Sequence, residues 1–289
     1  MPAPRSLPDN GRVASPADQQ RIKGGWAPQG VTLVRAPNSG PMTLAGTNSW
    51  LIGAPAWLID PGPPDEGHLE RLEFAIRQHG GLEGIALTHR HLDHAEAAPA
   101  LAERYGVPMF AGPGAPDPEG FAEPTAEGLG LARSLGDGER LGPFEVIETP
   151  GHSADHVSYL AGDVLFCGDT VLGEGSVFIP PGGGSLARYM ESLERLRVLD
   201  LQALCPGHGP VVWEPREKLT EYIDHRRERE RRLVAALDRG LRDREALLDE
   251  VWDDVPAVLR PAAALTLEAH LDKLAVEGRL PPGVERAPA

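Results

Sequence analysis

Apolar positions along the chain fall into two regimes that meet near Pro215. Before it, Thr47–Ile52, Ala56–Ile59, Gly84–Leu87, Val107–Phe110, Phe144–Thr149, Val157–Leu160, Val164–Cys167 and Ala203–Cys205 are short apolar runs separated by turn residues, and they read as strands. Between them, Glu66–His79 (with Leu69, Leu72, Phe74 and Ile76), Ala95–Tyr105 and Leu186–Leu199 carry helical spacing. Strands that alternate with helices, often two strands before a helix, predict an α/β sandwich. After Pro215 only helical spacing remains: Glu217–Leu237, Asp243–Trp252, and Ala262–Glu277 closed by Gly278. Three such helices suggest a winged-helix-like appendage. The expected organisation is a Pro/Gly-rich flexible arm over 1–30, an α/β domain over 31–213, and a helical domain over 214–289, with a surface loop over 111–130.

Composition narrows the function classes. The chain has 289 residues and a formal net charge of −15, which opposes non-specific binding to polyanions. The basic run His225–Arg232 reads as a solvated helix face with i,i+4 pairs. The 2 cysteines, Cys167 and Cys205, do not make a secreted disulfide framework. The N-terminus lacks the apolar run of a signal peptide, and no stretch approaches the roughly 20 apolar residues of a membrane span. A cytoplasmic protein with no membrane partner is expected, with homodimer formation left open.

The chemistry concentrates in Thr88-His89-Arg90-His91-Leu92-Asp93-His94, which directly follows an apolar run. Imidazoles and a carboxylate suit Zn²⁺, Fe or Mn, and the spacing fits a loop at a strand end better than one helix face. Three later runs each end in a glycine turn and another ligand type: Gly151-His152, Gly168-Asp169 and Gly207-His208. Glycine permits the tight turns that this requires. The repetition predicts that His89, His91, Asp93, His94, His152, Asp169 and His208 converge on one metal centre.

That pattern resembles the metallo-β-lactamase superfamily over about residues 43–213, with Thr-His-x-His-x-Asp-His as the shared signature. The resemblance implies an αββα sandwich and two zinc ions per chain. It implies that His89, His91 and His152 hold one ion, that Asp93, His94 and His208 hold the other, and that Asp169 bridges them. Two dications about 3.5–4 Å apart can share a bridging hydroxide that attacks at neutral pH. Asp93 would orient it. Asp60, in Ile59-Asp60-Pro61-Gly62, resembles the superfamily's supporting aspartate.

Departures from subgroup patterns weigh against antibiotic hydrolysis, since Asp169 stands where lactamases of this fold usually carry Cys or Ser. Thr170–Ser176 lacks the segment that follows the bridging aspartate in glyoxalase II and persulfide dioxygenases. Gly168–Gly175, Tyr189–Leu193, Pro206–Pro210, Tyr222–Arg226 and the tail around Leu271–Leu274 resemble the β-lactamase-like protein 2 group. That resemblance implies single-stranded RNA as substrate. A small ester or thioester, as for glyoxalase II, is the alternative, and a non-catalytic binding module is a third reading.

Other residues invite a role. His156 is a candidate proton donor or catalytic residue, although a brace for the ligand loop fits its spacing better. His68, His79, His225 and His270 are expected at the surface of helices. Cys167 and Cys205 are expected to pack inside the sheet, and Trp26, Trp50 and Trp57 to pack in the core. Gly182–Ser185 reads as a flexible segment near the site whose following helix N-terminus could hold an anion. Replacing His91 or Asp169 with alanine is expected to abolish turnover and lower bound metal, read by activity and elemental analysis together.

Overall fold

The structure, a computed structural model, describes residues 27–113, 130–180 and 183–284. Trp26, most of the expected N-terminal arm and most of the expected surface loop lie outside the described residues. The strands are β1 (Val31–Arg35), β2 (Asn48–Gly53), β3 (Ala56–Ile59), β4 (Leu82–Ala86), β5 (Met109–Ala111), β6 (Arg133–Ser134), β7 (Arg140–Leu141), β8 (Phe144–Glu148), β9 (Val157–Ala161), β10 (Val164–Gly168) and β11 (Ala203–Pro206). The helices are α1 (Glu66–Gln78), α2 (Leu92–Ala95), α3 (Ala98–Tyr105), α4 (Leu186–Arg197), α5 (Pro215–Asp238), α6 (Arg244–Val251) and α7 (Arg260–Val276).

The strands form two sheets, ordered β1-β2-β3-β4-β5-β6 and β11-β10-β9-β8-β7. Both are covered on both faces, so their strands are nearly continuous apolar runs whose alternate residues enter different cores. In β3, Trp57 and Ile59 point between the sheets, while Ala56 and Leu58 point to the layer of α1 and α3. In β10, Val164 and Phe166 point between the sheets, while Leu165 and Cys167 point to α4 and α5. The result is the expected αββα sandwich. Cys167 and Cys205 belong to different cores, so burial separates them and both are free thiols.

Strand direction gathers the chemistry on one rim. β3 runs parallel to β4, and β10 parallel to β11. β8 is antiparallel to β9, which is antiparallel to β10, so β8, β10 and β11 end on the same edge. The two sheets are joined there by backbone and buried side chains. Val157 N donates to the Thr88 carbonyl at 2.8 Å, and Asn48 N to the Gly207 carbonyl at 2.7 Å. Asn48 Nδ2 donates to the carbonyls of Pro206 and Gly209 at 3.0 and 2.8 Å.

Several sequence expectations change. The single helix expected over Ala95–Tyr105 is two, because Pro99 lacks an N–H and fits only the first turn of α3. Asp93 and His94 therefore lie on the short helix α2 rather than in an open loop. Strand β1 was not anticipated; it is a half-buried edge strand held by pairing with β2. Phe74 is turned to solvent although its α1 neighbours Leu72, Ala75 and Ile76 are buried. His68 and His270 are fully buried, not at the surface. His68 is retained inside by hydrogen bonds to the Pro61 carbonyl at 2.8 Å and to Ser49 Oγ at 3.3 Å.

The C-terminal helices form their own core, with Leu233 and Leu237 of α5, Leu247 and Leu248 of α6, and Leu267, Leu271 and Leu274 of α7. The start of α5 belongs to the sandwich, since Leu219, Tyr222 and Ile223 are buried against α4. Burying each such side chain contributes about 1.5–3 kcal/mol. α5 thereby fixes the tail over the ligand rim.

Gly151 shows how tightly that rim is packed. It has φ +145, and a Cβ there would lie 2.3 Å from Tyr189 Cα on α4. Gly151→Ala is expected to destabilise the protein by about 2 kcal/mol or more. In thermal unfolding that reads as a Tm lower by about 4–8 °C.

Candidate metal centre

Four loops and α2 bring the seven sequence-predicted residues to one pocket. His89 and His91 follow β4, Asp93 and His94 lie on α2, His152 follows β8, Asp169 follows β10, and His208 follows β11. Three triads have all their ligand atoms within 4.8 Å of one another: His89, His91 and His152; His89, His94 and Asp169; Asp93, His94 and His208.

Imidazole nitrogens crowd at the centre of the pocket. His91 Nδ1 lies 2.9 Å from His89 Nε2 and 3.0 Å from His152 Nε2. His94 Nε2 lies 3.2 Å from His208 Nε2. Neighbouring ligand atoms around a tetrahedral zinc with bonds of about 2.0–2.1 Å lie roughly 3.3 Å apart, so the spacing matches ligands aimed at a shared cation. Asp169 stands between the groups: one oxygen is 3.8 Å from His152 Nε2 and 3.5 Å from His208 Nε2, and the other is 3.6 Å from His94 Nε2. Asp93 Oδ2 is 3.2 Å from His208 Nε2.

Two observations test whether a cation fits. Asp169 Oδ1 is buried and accepts no hydrogen bond. A buried carboxylate oxygen without a donor is costly, and a metal removes that cost. Gly207 also leaves space beside it: a Cβ there would lie 2.4 Å from Asp169 Oδ1 and 2.6 Å from His94 Cε1. The donor set is imidazole and carboxylate, with both nearby thiols buried and held protonated, chiefly by burial. The residues fit divalent metal binding.

The remaining ring nitrogens of His89, His94, His152 and His208 face acceptors that fix ring orientation. His94 Nδ1 donates to Asp60 Oδ2 at 3.0 Å, His152 Nδ1 to the Phe178 carbonyl at 2.8 Å, and His208 Nδ1 to the Gly46 carbonyl at 3.4 Å. Thr88 Oγ1 donates to Asp60 Oδ2 at 2.7 Å, so it accepts from His89 Nδ1 at 3.0 Å. Asp60 Oδ1 accepts from Thr88 N at 2.8 Å. Asp60 has φ 50, a left-handed conformation that a non-glycine residue holds only where its surroundings enforce it.

Electrostatics divide the site. Burial, then the neighbouring imidazoles, hold His89 well below its ordinary pKa and His152 down at about 4, so both present lone pairs. Burial opposes charge on His94 and His208, but Asp93 and Asp169 overcome it and raise them to about 9 and about 11. Burial would raise Asp93, yet His94 and His208 bring it down to about 2. The two carboxylates thus favour positive charge in this half of the pocket, which is also what a bound cation would supply.

His156 is a brace in this geometry, not a group open to the cleft. It is 1% exposed, its Nε2 accepts from Asp169 N at 3.0 Å, its Nδ1 meets Thr149 Oγ1 at 2.9 Å, and its ring stacks on His89. With both nitrogens engaged, it has no position from which to give a substrate a proton. Trp50 and Trp57 are buried in the core, as expected. Of the glycine-rich segment, Pro181 and Gly182 lie outside the described residues. Ser185 caps α4 by accepting from Arg188 N.

A cavity of about 810 Å³ opens on His91, Asp93, His152, Asp169 and His208. Met42, Leu44 and Phe178 line it from the sandwich; Trp252, Val255 and Leu259 line it from the tail. Sequence reasoning missed these residues, because nothing local marks an apolar side chain as facing a cleft.

The pattern described as the metallo-beta-lactamase superfamily matches residues 42–208, which include all seven of these side chains. The chain belongs to that superfamily. This metallo-beta-lactamase superfamily protein is a hydrolytic enzyme, and its residues 245–280 match the beta-lactamase-associated winged helix domain. It is 35% identical to a "Beta-lactamase-like protein 2 homolog" of Drosophila melanogaster, over 84% of this chain and 87% of that one. It is 31% identical to the protein of the same name in Caenorhabditis elegans, over 86% and 85%. It is also 31% identical to an "Atrochrysone carboxyl ACP thioesterase" of Aspergillus fumigatus, over 76% and 68%. Among solved structures, a metallo-beta-lactamase family protein from Thermus thermophilus superposes with a TM-score of 0.69 at 26% identity, over 86% of this chain and 94% of that one.

Asp60→Ala removes the acceptor shared by Thr88 and His94. It is expected to lower metal affinity or activity by about 10–100-fold. Metal retained after dialysis against a graded chelator, by elemental analysis, is the measurement.

Proposed function

We propose that this chain is a dinuclear zinc hydrolase of acyl esters or thioesters whose acyl group enters the cavity beneath the C-terminal helices. His89, His91 and His152 would hold one ion, Asp93, His94 and His208 the other, and Asp169 both. Zinc bound there supplies a Lewis acid for the scissile carbonyl and brings the pKa of water near neutrality.

The protein's own groups do the rest. Asp93 has a side chain 32% exposed and faces the cavity. Its depressed pKa keeps it ionised, so it accepts a hydrogen bond from water and can orient that water toward the carbonyl. The ring braces from Asp60, Phe178 and Gly46 hold the imidazoles in place. The observation that carries the substrate class is the cavity wall. A largely apolar cleft of this size, open on the metal-ligand side chains, suits a small organic ligand.

Single-stranded RNA is the second reading, supported by identity to the beta-lactamase-like protein 2 homologs over most of both chains. RNA binding calls for free basic and stacking side chains along a path. Most of the basic run on α5 is instead engaged pairwise: Arg227 with Glu194, Arg231 with Glu228, Arg232 with Asp253 and Arg229 with Asp254, while Arg226 is buried.

The test is a parallel assay of zinc-loaded protein on N-acetylcysteamine thioesters of increasing chain length and on single-stranded RNA. Thioester kcat/KM is expected to rise by up to about fourfold per added methylene until the cavity is filled. RNA cleavage with no thioester turnover overturns the proposal.

A further inference from the structure

The cleft that opens on the metal centre is also lined by a guanidinium that no carboxylate balances. Arg226, on α5, is 3% exposed and belongs to the cavity wall. It donates from Nη2 to Ser176 Oγ at 3.1 Å and to the Val177 carbonyl. Its Cζ lies over the Tyr189 ring, 5.5 Å from the centroid. Burial raises the Tyr189 phenol, and the nearby guanidinium offsets part of that rise. These neighbours are all neutral. Among the described residues, no carboxylate oxygen is within ion-pair distance of Arg226.

The surroundings do not supply a counter-ion. Arg229 is already bidentate to Asp254 at 2.7 and 2.8 Å, and Lys273 pairs with Glu230 and Glu277. The carboxylates on the cavity wall are Asp93, Asp169 and Glu174, of which the first two face the ligand imidazoles. Behind the wall, His270 is fully buried and neither ring nitrogen makes a hydrogen bond. Burial, then the positive charges of Arg226 and Lys273, keep it neutral.

A buried cation without a counter-ion is unfavourable, and an anionic oxygen is what offsets it best. Ser176 Oγ accepts from Arg226, so its own proton remains to be given to the same ligand.

We propose that Arg226 and Ser176 form a recognition site for an anionic oxygen group, carboxylate or phosphate, that the substrate carries away from its scissile carbonyl. The substrate is then an acyl thioester with a second, charged end, an inference that rests on the thioester reading above. The apolar wall takes the chain between the two ends, and Arg226 sets which end-groups are accepted.

Two pairs of substrates distinguish the source of the charge. One compares glutaryl-N-acetylcysteamine with its neutral terminal carboxamide. The other compares butyryl-phosphopantetheine with butyryl-pantetheine. The wild type is expected to favour the charged member of one pair by about tenfold or more in kcat/KM. Arg226→Met is expected to bring that ratio near one, and Arg226→Lys to restore part of it. No charge preference in either pair, a preference that survives Arg226→Met, or equal loss on charged and neutral members overturns the site. The last outcome would make Arg226 only a brace for Ser176–Val177. Equilibrium binding of the matching non-hydrolysable thioethers reads the same ratio without turnover. A retained charge preference there, with no thioester hydrolysed, overturns the thioester reading and leaves the Arg226 site standing.

Discussion

The architecture of this protein depends on two carboxylates placed among imidazoles, one of them, Asp169, largely withdrawn from water. Asp169 is held by its backbone at a glycine turn and leaves one oxygen buried without a donor. Asp93 faces His94 and His208 from a single helical turn. Asp169 alone would be a costly buried charge. Together with five imidazoles the two carboxylates become a cradle suited to positive charge, and the same carboxylates raise His94 and His208.

The scaffold holds that cradle open with groups that cannot move far. Asp60, Thr88, His156 and Thr149 are all buried: Asp60 accepts from Thr88 and His94, His156 accepts from Asp169 N, and Thr149 in turn holds the His156 ring. Asn48 and Val157 tie the two sheets at the same rim, so the ligands of one sheet keep their distance from those of the other. Placement of rings to within a fraction of an ångström is what metal chemistry demands, and buried hydrogen bonds on strand ends provide it better than exposed loops do.

The C-terminal helices convert a metal rim into a cleft. α5 starts in the core of the sandwich and ends in the core of the tail, so it cannot swing away without exposing both. The tail adds an apolar wall and one unbalanced cation to a site whose metal side is otherwise shared with a superfamily of many activities. Selectivity between substrates is expected to reside there, since fold and ligands alone do not distinguish them.

Sequence alone determined the layers of the fold and the seven converging residues. Period-two burial, turn glycines and ligand types are local properties, and Gly151-His152, Gly168-Asp169 and Gly207-His208 repeat one device that can be read without neighbours. It singled out Asp60 and His156 beside the ligands, but the catalytic role it offered for His156 does not suit a ring buried with both nitrogens engaged. It misjudged His68 and His270, whose burial depends on what packs over an outwardly polar helix position, and it missed the break before Pro99 and the edge strand β1. Only tertiary structure decided that Arg226 lacks a carboxylate while its neighbours on α5 have one, and that Trp252 and Met42 face the same cavity. Those facts are set by long-range distances between elements, and a helix pattern carries the spacing of its own residues but not the charge or shape of whatever comes to lie against it.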